Sequence, residues 1–456
     1  MPAETRDLDQ LASFLAEFRA PDLPAEVIAR TKLIIADCVG AIVGGAAEPE
    51  MAALTAKLAA SGPGPALVIG TGHAIPAERA ALLNGTAGTW LEMDEGNQFC
   101  KGHPGMHTFP AAFARAEAEG AGGLDFLAAV ALGYEAGARV GIGMRPRPSM
   151  HPHGTWGVLC ATVAAGRLGR VDAGGMRSLL NMAPTLSLAT SRRTMLEGAT
   201  VRNTFTGFAN QTGVLCLAML EAGLTGEVDG IGHVFGKVAG DGFDPTALSD
   251  RLGSRWEVTR NYFKMHSCCR YNHAALDAVN LILAGPGGDL DSAAIARIDV
   301  DTYSLAVELD DPAPANTLAA KFSLPFAIAT TLIHGDSGVH SFTWDAVRNA
   351  DIGRLAARVV LREDPAMTAR LPDNRPARVR LTLDDGRSFE AATDTNRGDW
   401  SDPYTPDEIH DKYMALATRC WSTAGAAAVF EQIMALERLD DVAALGQAMR
   451  GAMQAR

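Results

Sequence analysis

The chain has 456 residues, about three times a typical single-domain length, so two domains with a sizeable core are expected and a disulfide-stapled miniprotein is excluded. With 47% hydrophobic and 20% charged residues the composition is that of a folded globular protein, and a formal net charge of −13 argues against nucleic acid as a partner. Seven cysteines without framework spacing, and an N-terminus with no apolar run behind a basic one, point to a reduced, cytoplasmic protein.

From residue 8 to about 260, apolar residues recur at three- and four-residue spacing, with glycine and proline at the joints. Helices are predicted over 8–19, 25–45, 50–60, 77–91, 110–119, 124–141, 155–168, 173–183 and 205–222. Their sparse charges predict burial on more than one side. The apolar segment 33–47 is interrupted by Asp37 and falls short of the ~18 uncharged residues that a membrane span needs, so it reads as a buried helix. After about 265 the texture changes. Segments 297–303 and 356–362 alternate as strands do, and 377–383, Asp384-Asp385-Gly386 and 387–392 give a hairpin signal. Helical patterns at 273–284, 317–334 and 343–350 lie between these strands, and 407–451 is helical again. The predicted fold class is mainly α. A large all-helical domain (1–265) carries an inserted, smaller α+β lid domain (266–401) with an antiparallel sheet, and C-terminal helices (402–456) return to the first core.

Familiar chemical motifs are absent. Gly141-Ile142-Gly143 lacks the third glycine of a dinucleotide fingerprint, Gly236-Lys237 lacks the upstream glycine of a phosphate loop, and no Cys-x-x-Cys occurs. No cofactor and no metal are expected. Polar residues concentrate instead in three segments. The first runs from Glu92, Asp94 and Glu95 to His103 and His107, placed just before a helix predicted to open at Pro110. The second, His151-Pro152-His153-Gly154-Thr155, opens another helix, and two such loops can converge on one polyanionic ligand because helix N-termini favour anions. The third, Lys264 followed by Cys268-Cys269-Arg270-Tyr271-Asn272-His273, falls at the predicted domain boundary, where pockets are frequent. Lys264 is one of only seven lysines among 40 basic residues, and a cation beside a hinge can hold a substrate carboxylate. Arg192, Arg193 and Arg202 are weaker candidates for carboxylate clamps. Asp37 reads as structural.

Together, Asp37-x-x-Gly40, Leu83-Asn84-Gly85-Thr86-Ala87, the acidic run 92–95, His103-Pro104, His151 to Thr155, Lys264 to His273 and Lys321-Phe322-Ser323-Leu324-Pro325 resemble the MmgE/PrpD family, over about residues 10–430. That family includes 2-methylcitrate dehydratase, cis-aconitate decarboxylase and iminodisuccinate epimerase. The resemblance implies a helical domain with an inserted lid, a homodimer, and metal-free chemistry on small di- and tricarboxylic acids. Its acidic stretch falls on Glu92, Asp94 and Glu95, its active-site histidines on His103 and His151, and its hinge lysine on Lys264. The position five residues later, a histidine in the decarboxylases, is Cys269 here. Two departures stand out in 198–207, where Arg202 replaces a lysine and Phe205 a histidine.

The expected function is a metal-independent lyase that abstracts a proton alpha to a carboxylate. His151 transfers the proton with help from His103, Glu92 or Asp94 orients an imidazole or holds a substrate hydroxyl, and Lys264 with Arg202 stabilises the anion. His107, His153, Cys269, Arg270 and His273 are expected to help bind the substrate. Dehydration is the first expectation by analogy, with epimerisation or decarboxylation as alternatives and a catalytically inactive carboxylate-binding protein as the reading of another class.

Overall fold

The computed structural model describes residues 3–453 except 61, 286 and 289. The chain is mainly helical, and its buried apolar side chains gather into two principal clusters. One runs from Leu8 to Phe263 and takes in Ile409 to Ala452; the other joins Met195 to Cys268–Leu383. No described helix is long and apolar enough to cross a membrane.

The helix Ala25–Ala46 shows why the first cluster is helical. Its charges other than Asp37 fall in its first eight residues, and all twelve residues from Ile34 to Gly45 are buried, so this stretch is packed on every face as a central helix must be. Its one buried carboxylate is satisfied by partners. Asp37 accepts from Glu95 N at 2.8 Å and forms an ion pair with Lys412 of the helix Pro406–Ala417, whose Nζ also donates to Met93 O at 2.6 Å. Residues 375 positions apart in sequence thereby fix the 92–95 turn.

Several predicted boundaries move. The helix expected from Pro110 starts at Pro104 and runs to Glu119, with His103 as its N-cap and Pro110 inside it. A proline there removes an amide and displaces its neighbours' pairing. Asn210, on the facing helix Thr204–Glu221, makes up the difference: Nδ2 donates to Met106 O at 3.0 Å and Oδ1 accepts from Ala111 N at 2.9 Å. The segment 317–334 is broken into Thr317–Lys321 and Leu324–His334, because Ser323 caps the second helix and Pro325 occupies its first turn. The first unit also carries two short antiparallel pairs, Ala66–Leu67 with Ala74–Ile75 and Met144–Pro146 with Gly240–Phe243, so it is not purely helical.

The sheet of the second unit is mixed, not antiparallel. Its order is Val359–Glu363, Ile295–Thr302, Ala377–Leu383, Ser388–Thr393, and the first pair is parallel, with Ile298 opposite Val359 and Thr302 opposite Glu363. The helices between residues 304 and 356 supply the crossover that parallel pairing requires. The strand predicted at 356–362 starts at Val359 because Ala356 still ends a helix. Alternate residues Ala377, Val379, Leu381 and Leu383 face the helix-covered core, as the sequence alternation implies.

Breaking the Asp37–Lys412 pair from one side leaves a buried uncompensated carboxylate. Lys412→Met is expected to destabilise the helical core by about 3–5 kcal/mol. Adding Asp37→Asn should recover part of that loss in urea unfolding; an unchanged midpoint in the single variant contradicts this role.

Candidate active site

The helix Ala77–Trp90 ends at the acidic turn, where Glu92 adopts φ 54, a left-handed backbone that non-glycine residues rarely take. Its carboxylate meets Arg202 Nη1 on one oxygen and lies 3.7 Å from Lys264 Nζ on the other. Lys264 Nζ is also 3.7 Å from Asp94 Oδ1 and has no hydrogen-bond partner, although the side chain is fully buried. Burial alone would raise the Asp94 pKa; His103, Lys264 and Arg202 together hold it below the usual carboxylate range instead. Glu95 has a different task. It accepts from Gly105 N at 2.7 Å and Tyr134 OH at 3.2 Å, supporting the start of the Pro104–Glu119 helix, and burial pushes its pKa well up.

Four histidines converge on this turn. His103 Nδ1 lies 2.8 Å from Asp94 Oδ2, and a carboxylate at that distance keeps the proton on Nδ1 and leaves the Nε2 lone pair available. His151 has the opposite polarity. Its Nδ1 accepts from His153 N at 3.0 Å, so in the neutral ring the proton sits on Nε2. The 151–155 loop is held by Gly154, at φ 78, and by mutual hydrogen bonds between His151 and Thr190. The His153 ring stands between the others, 4.5 Å from His103 and 4.6 Å from His151, edge to face. Burial first, then Arg202 and His103, push both His151 and His153 well below the ordinary imidazole pKa.

These groups open on a cavity of about 90 Å³ between the two units. Glu92, His103, His151, His153, Arg202, Cys269 and Arg270 lie on its wall, as do Arg192 and Lys101. Arg270 pairs with Asp399 and lies over the Tyr262 ring at 4.6 Å. Lys264 and Asp94 sit one layer behind Glu92 and His103 and do not line the cavity, so Lys264 touches its wall only through Glu92 and Asp94. Two expected ligands of the substrate face elsewhere. His107 receives Gly154 N on Nε2 at 3.3 Å and contacts His103 O through Nδ1 at 2.9 Å, tying the two histidine loops together. His273 packs against His266 and hydrogen-bonds Cys268 O. Burial raises the Cys269 thiol pKa, so this cavity residue is a neutral wall group.

Residues 9–239 match the MmgE/PrpD N-terminal domain and residues 266–437 the MmgE/PrpD C-terminal domain. The chain belongs to the MmgE/PrpD family. Among curated relatives, it is 22% identical to a cis-aconitate decarboxylase of Aspergillus terreus, with 96% of this chain and 94% of that protein aligned. It is 24% identical to the Homo sapiens cis-aconitate decarboxylase, with 97% and 94% aligned.

Both departures from the familiar MmgE/PrpD pattern fall in the site. Arg202 spans from Glu92 to the Phe322 ring, 5.1 Å away, and Phe205 stacks edgewise on His151 at 5.9 Å. Arg375, also on the cavity wall, escaped the sequence reading because Pro372-Asp373-Asn374-Arg375-Pro376 looks like a surface loop. It is carried inward, to 4% exposure, beside a loop whose Asp373 O accepts from Gln98 Nε2 at 3.2 Å. Tyr262 was missed because a lone aromatic before Lys264 carries no motif.

The His107 pKa is lowered to about 4, chiefly by burial. Between the unfolded value near 6.5 and about 4 the unfolded chain binds a proton that the native ring refuses, so stability is lost as pH falls through that window. His107→Asn is expected to flatten the pH dependence of the unfolding midpoint between these values. An identical slope in wild type and variant contradicts a neutral, structural His107.

Proposed function

We propose that this chain is a lyase that delivers a proton to a small di- or tricarboxylic acid, with loss of carbon dioxide from a cis-aconitate-like substrate as the leading reaction. The observation that carries this reading is the pair of imidazoles of opposite proton polarity, His103 and His151, in a cavity walled by Arg192, Arg202, Arg270 and Arg375. Guanidinium groups suit planar carboxylates; Arg192, Arg202 and Arg270 are paired with Glu308, Glu92 and Asp399, which leaves Arg375 and Lys101 as excess positive charge on the wall and favours a ligand of multiple negative charge. The names of the relatives favour decarboxylation over the dehydration expected from sequence.

In decarboxylation the bond from carbon to the departing carboxylate breaks. Its electron pair forms a new carbon–carbon double bond, the former alkene pair moves to the neighbouring carbon, and that carbon takes one proton. His151 is the donor. Burial first, and then Arg202 and its neighbours, keep its ring neutral without ligand; the carboxylates of a bound substrate oppose the cationic part of that effect, raise its pKa and let it arrive charged. Arg202 stabilises the charge that develops, while Lys264 and Asp94 position Glu92 and His103. The unit 266–401, which contributes Arg270, Phe322 and Arg375, acts as the lid.

Dehydration of a hydroxytricarboxylate is the second reading, favoured by the His103–Asp94 contact. There His103 Nε2 removes the carbon-bound proton and His151 protonates the departing hydroxyl. Proton NMR in D2O with cis-aconitate, citrate and 2-methylcitrate separates the readings. Release of carbon dioxide with one deuteron entering the product supports the first, and loss of water from a hydroxy acid replaces it with the second. Thermal stabilisation by these acids without turnover means binding alone. His151→Gln is expected to lower kcat at least ~100-fold with little change in affinity; an unchanged kcat removes His151 from the mechanism.

A further inference from the structure

One largely buried lysine has no part in that cavity. Lys321, ending the helix Thr317–Lys321, is 4% exposed, and its Nζ has no hydrogen-bond or ion-pair partner among the described residues. Its backbone is committed, since the carbonyl accepts from Cys269 N at 2.9 Å and Asn272 Nδ2 at 3.3 Å. The side chain lines a second cavity of about 150 Å³, with Leu91 and Phe342 buried in its wall and Trp90, Val339 and Trp344 beside them. Arg419 also lines it, held by Glu48 at 2.7 Å, and Glu50 is exposed there. Burial lowers the Lys321 pKa, only partly offset by the charges of Glu48 and Glu92. The residue is largely withdrawn from water but its ammonium is left without an anionic partner among the described residues, and an anion seated against it in this cavity complements its charge.

We propose that Lys321 anchors a second ligand site, for a small monocarboxylate with a short apolar body. The charge balance selects a single negative charge: Arg419 is already neutralised by Glu48, and Glu48 and Glu50 repel a second anionic group. Phosphate and the multiply charged acids suited to the arginine-lined cavity are therefore poor occupants. The indole, phenyl and aliphatic walls accept the hydrocarbon part. Leu91 and Lys321 directly precede Glu92 and Phe322 of the first cavity, so an occupant here sits one residue from two walls of the other site. This inference stands independently of the lyase reading.

The test uses 3-bromopropionate with the full chain. In soaked crystals the anomalous signal of bromine is expected between Trp90 and Trp344, with the carboxylate about 3 Å from Lys321 Nζ. In calorimetric titration, Lys321→Met is expected to lose at least ~10-fold in affinity, the equivalent of 1.4 kcal/mol, while Arg202→Met keeps this binding. No bromine beside Lys321, bromine only in the arginine-lined cavity, or unchanged binding in folded Lys321→Met overturns the proposal. The wild-type soak decides it even where the variant does not fold.

Discussion

A fully buried lysine held 3.7 Å from each of two carboxylates is the constraint around which this molecule is arranged. Burying one charge is prohibitive, and burying several is tolerable only when they balance. Lys264 and Arg202 match Glu92 and Asp94, and the four groups come from segments spread between residues 92 and 264. Each segment must be positioned for the set to balance at all. The Asp37–Lys412 pair does this for the acidic turn, drawing the C-terminal helices into the same network. Folding and site assembly thus depend on one set of contacts.

The same field sets the histidine chemistry. Burial, reinforced by the positive charge of Arg202, lowers the pKa of both His151 and His153 and favours their neutral rings. Under the proposed function, a bound polycarboxylate would oppose the cationic part of that effect and so couple proton uptake to binding. Asp94 gives His103 the reverse bias by holding a proton on the side away from its free lone pair. Two residues of one type are therefore biased towards different tautomers by their neighbours, the pattern that a matched acid and base would need.

Much of this was legible in the sequence, for identifiable reasons. The helical unit announced itself through three- and four-residue apolar spacing, and His103, His151, Glu92, Asp94 and Lys264 through polar residues concentrated in otherwise apolar surroundings. What remained hidden depends on distant partners. Pro110 reads as a helix start because nothing nearby reveals Asn210, whose side chain lets the helix continue through it. The parallel strand pair was not legible because alternation identifies a strand but not its direction. Arg375 lies in a loop of surface-like composition, and the retreat of Lys264 behind Glu92 is a matter of depth that spacing does not encode. Histidine polarity depends on a backbone amide and a carboxylate that only the folded chain brings near.

That polarity is the centre of the account, and nitrogen-15 NMR of histidine-labelled protein reads it directly. Long-range proton–nitrogen correlations, assigned with His103→Gln and His151→Gln, distinguish the two neutral tautomers. At neutral pH without ligand, His103 is expected to carry its proton on Nδ1 and His151 on Nε2. The same tautomer in both rings, or a charged His151 in the empty cavity, contradicts the account.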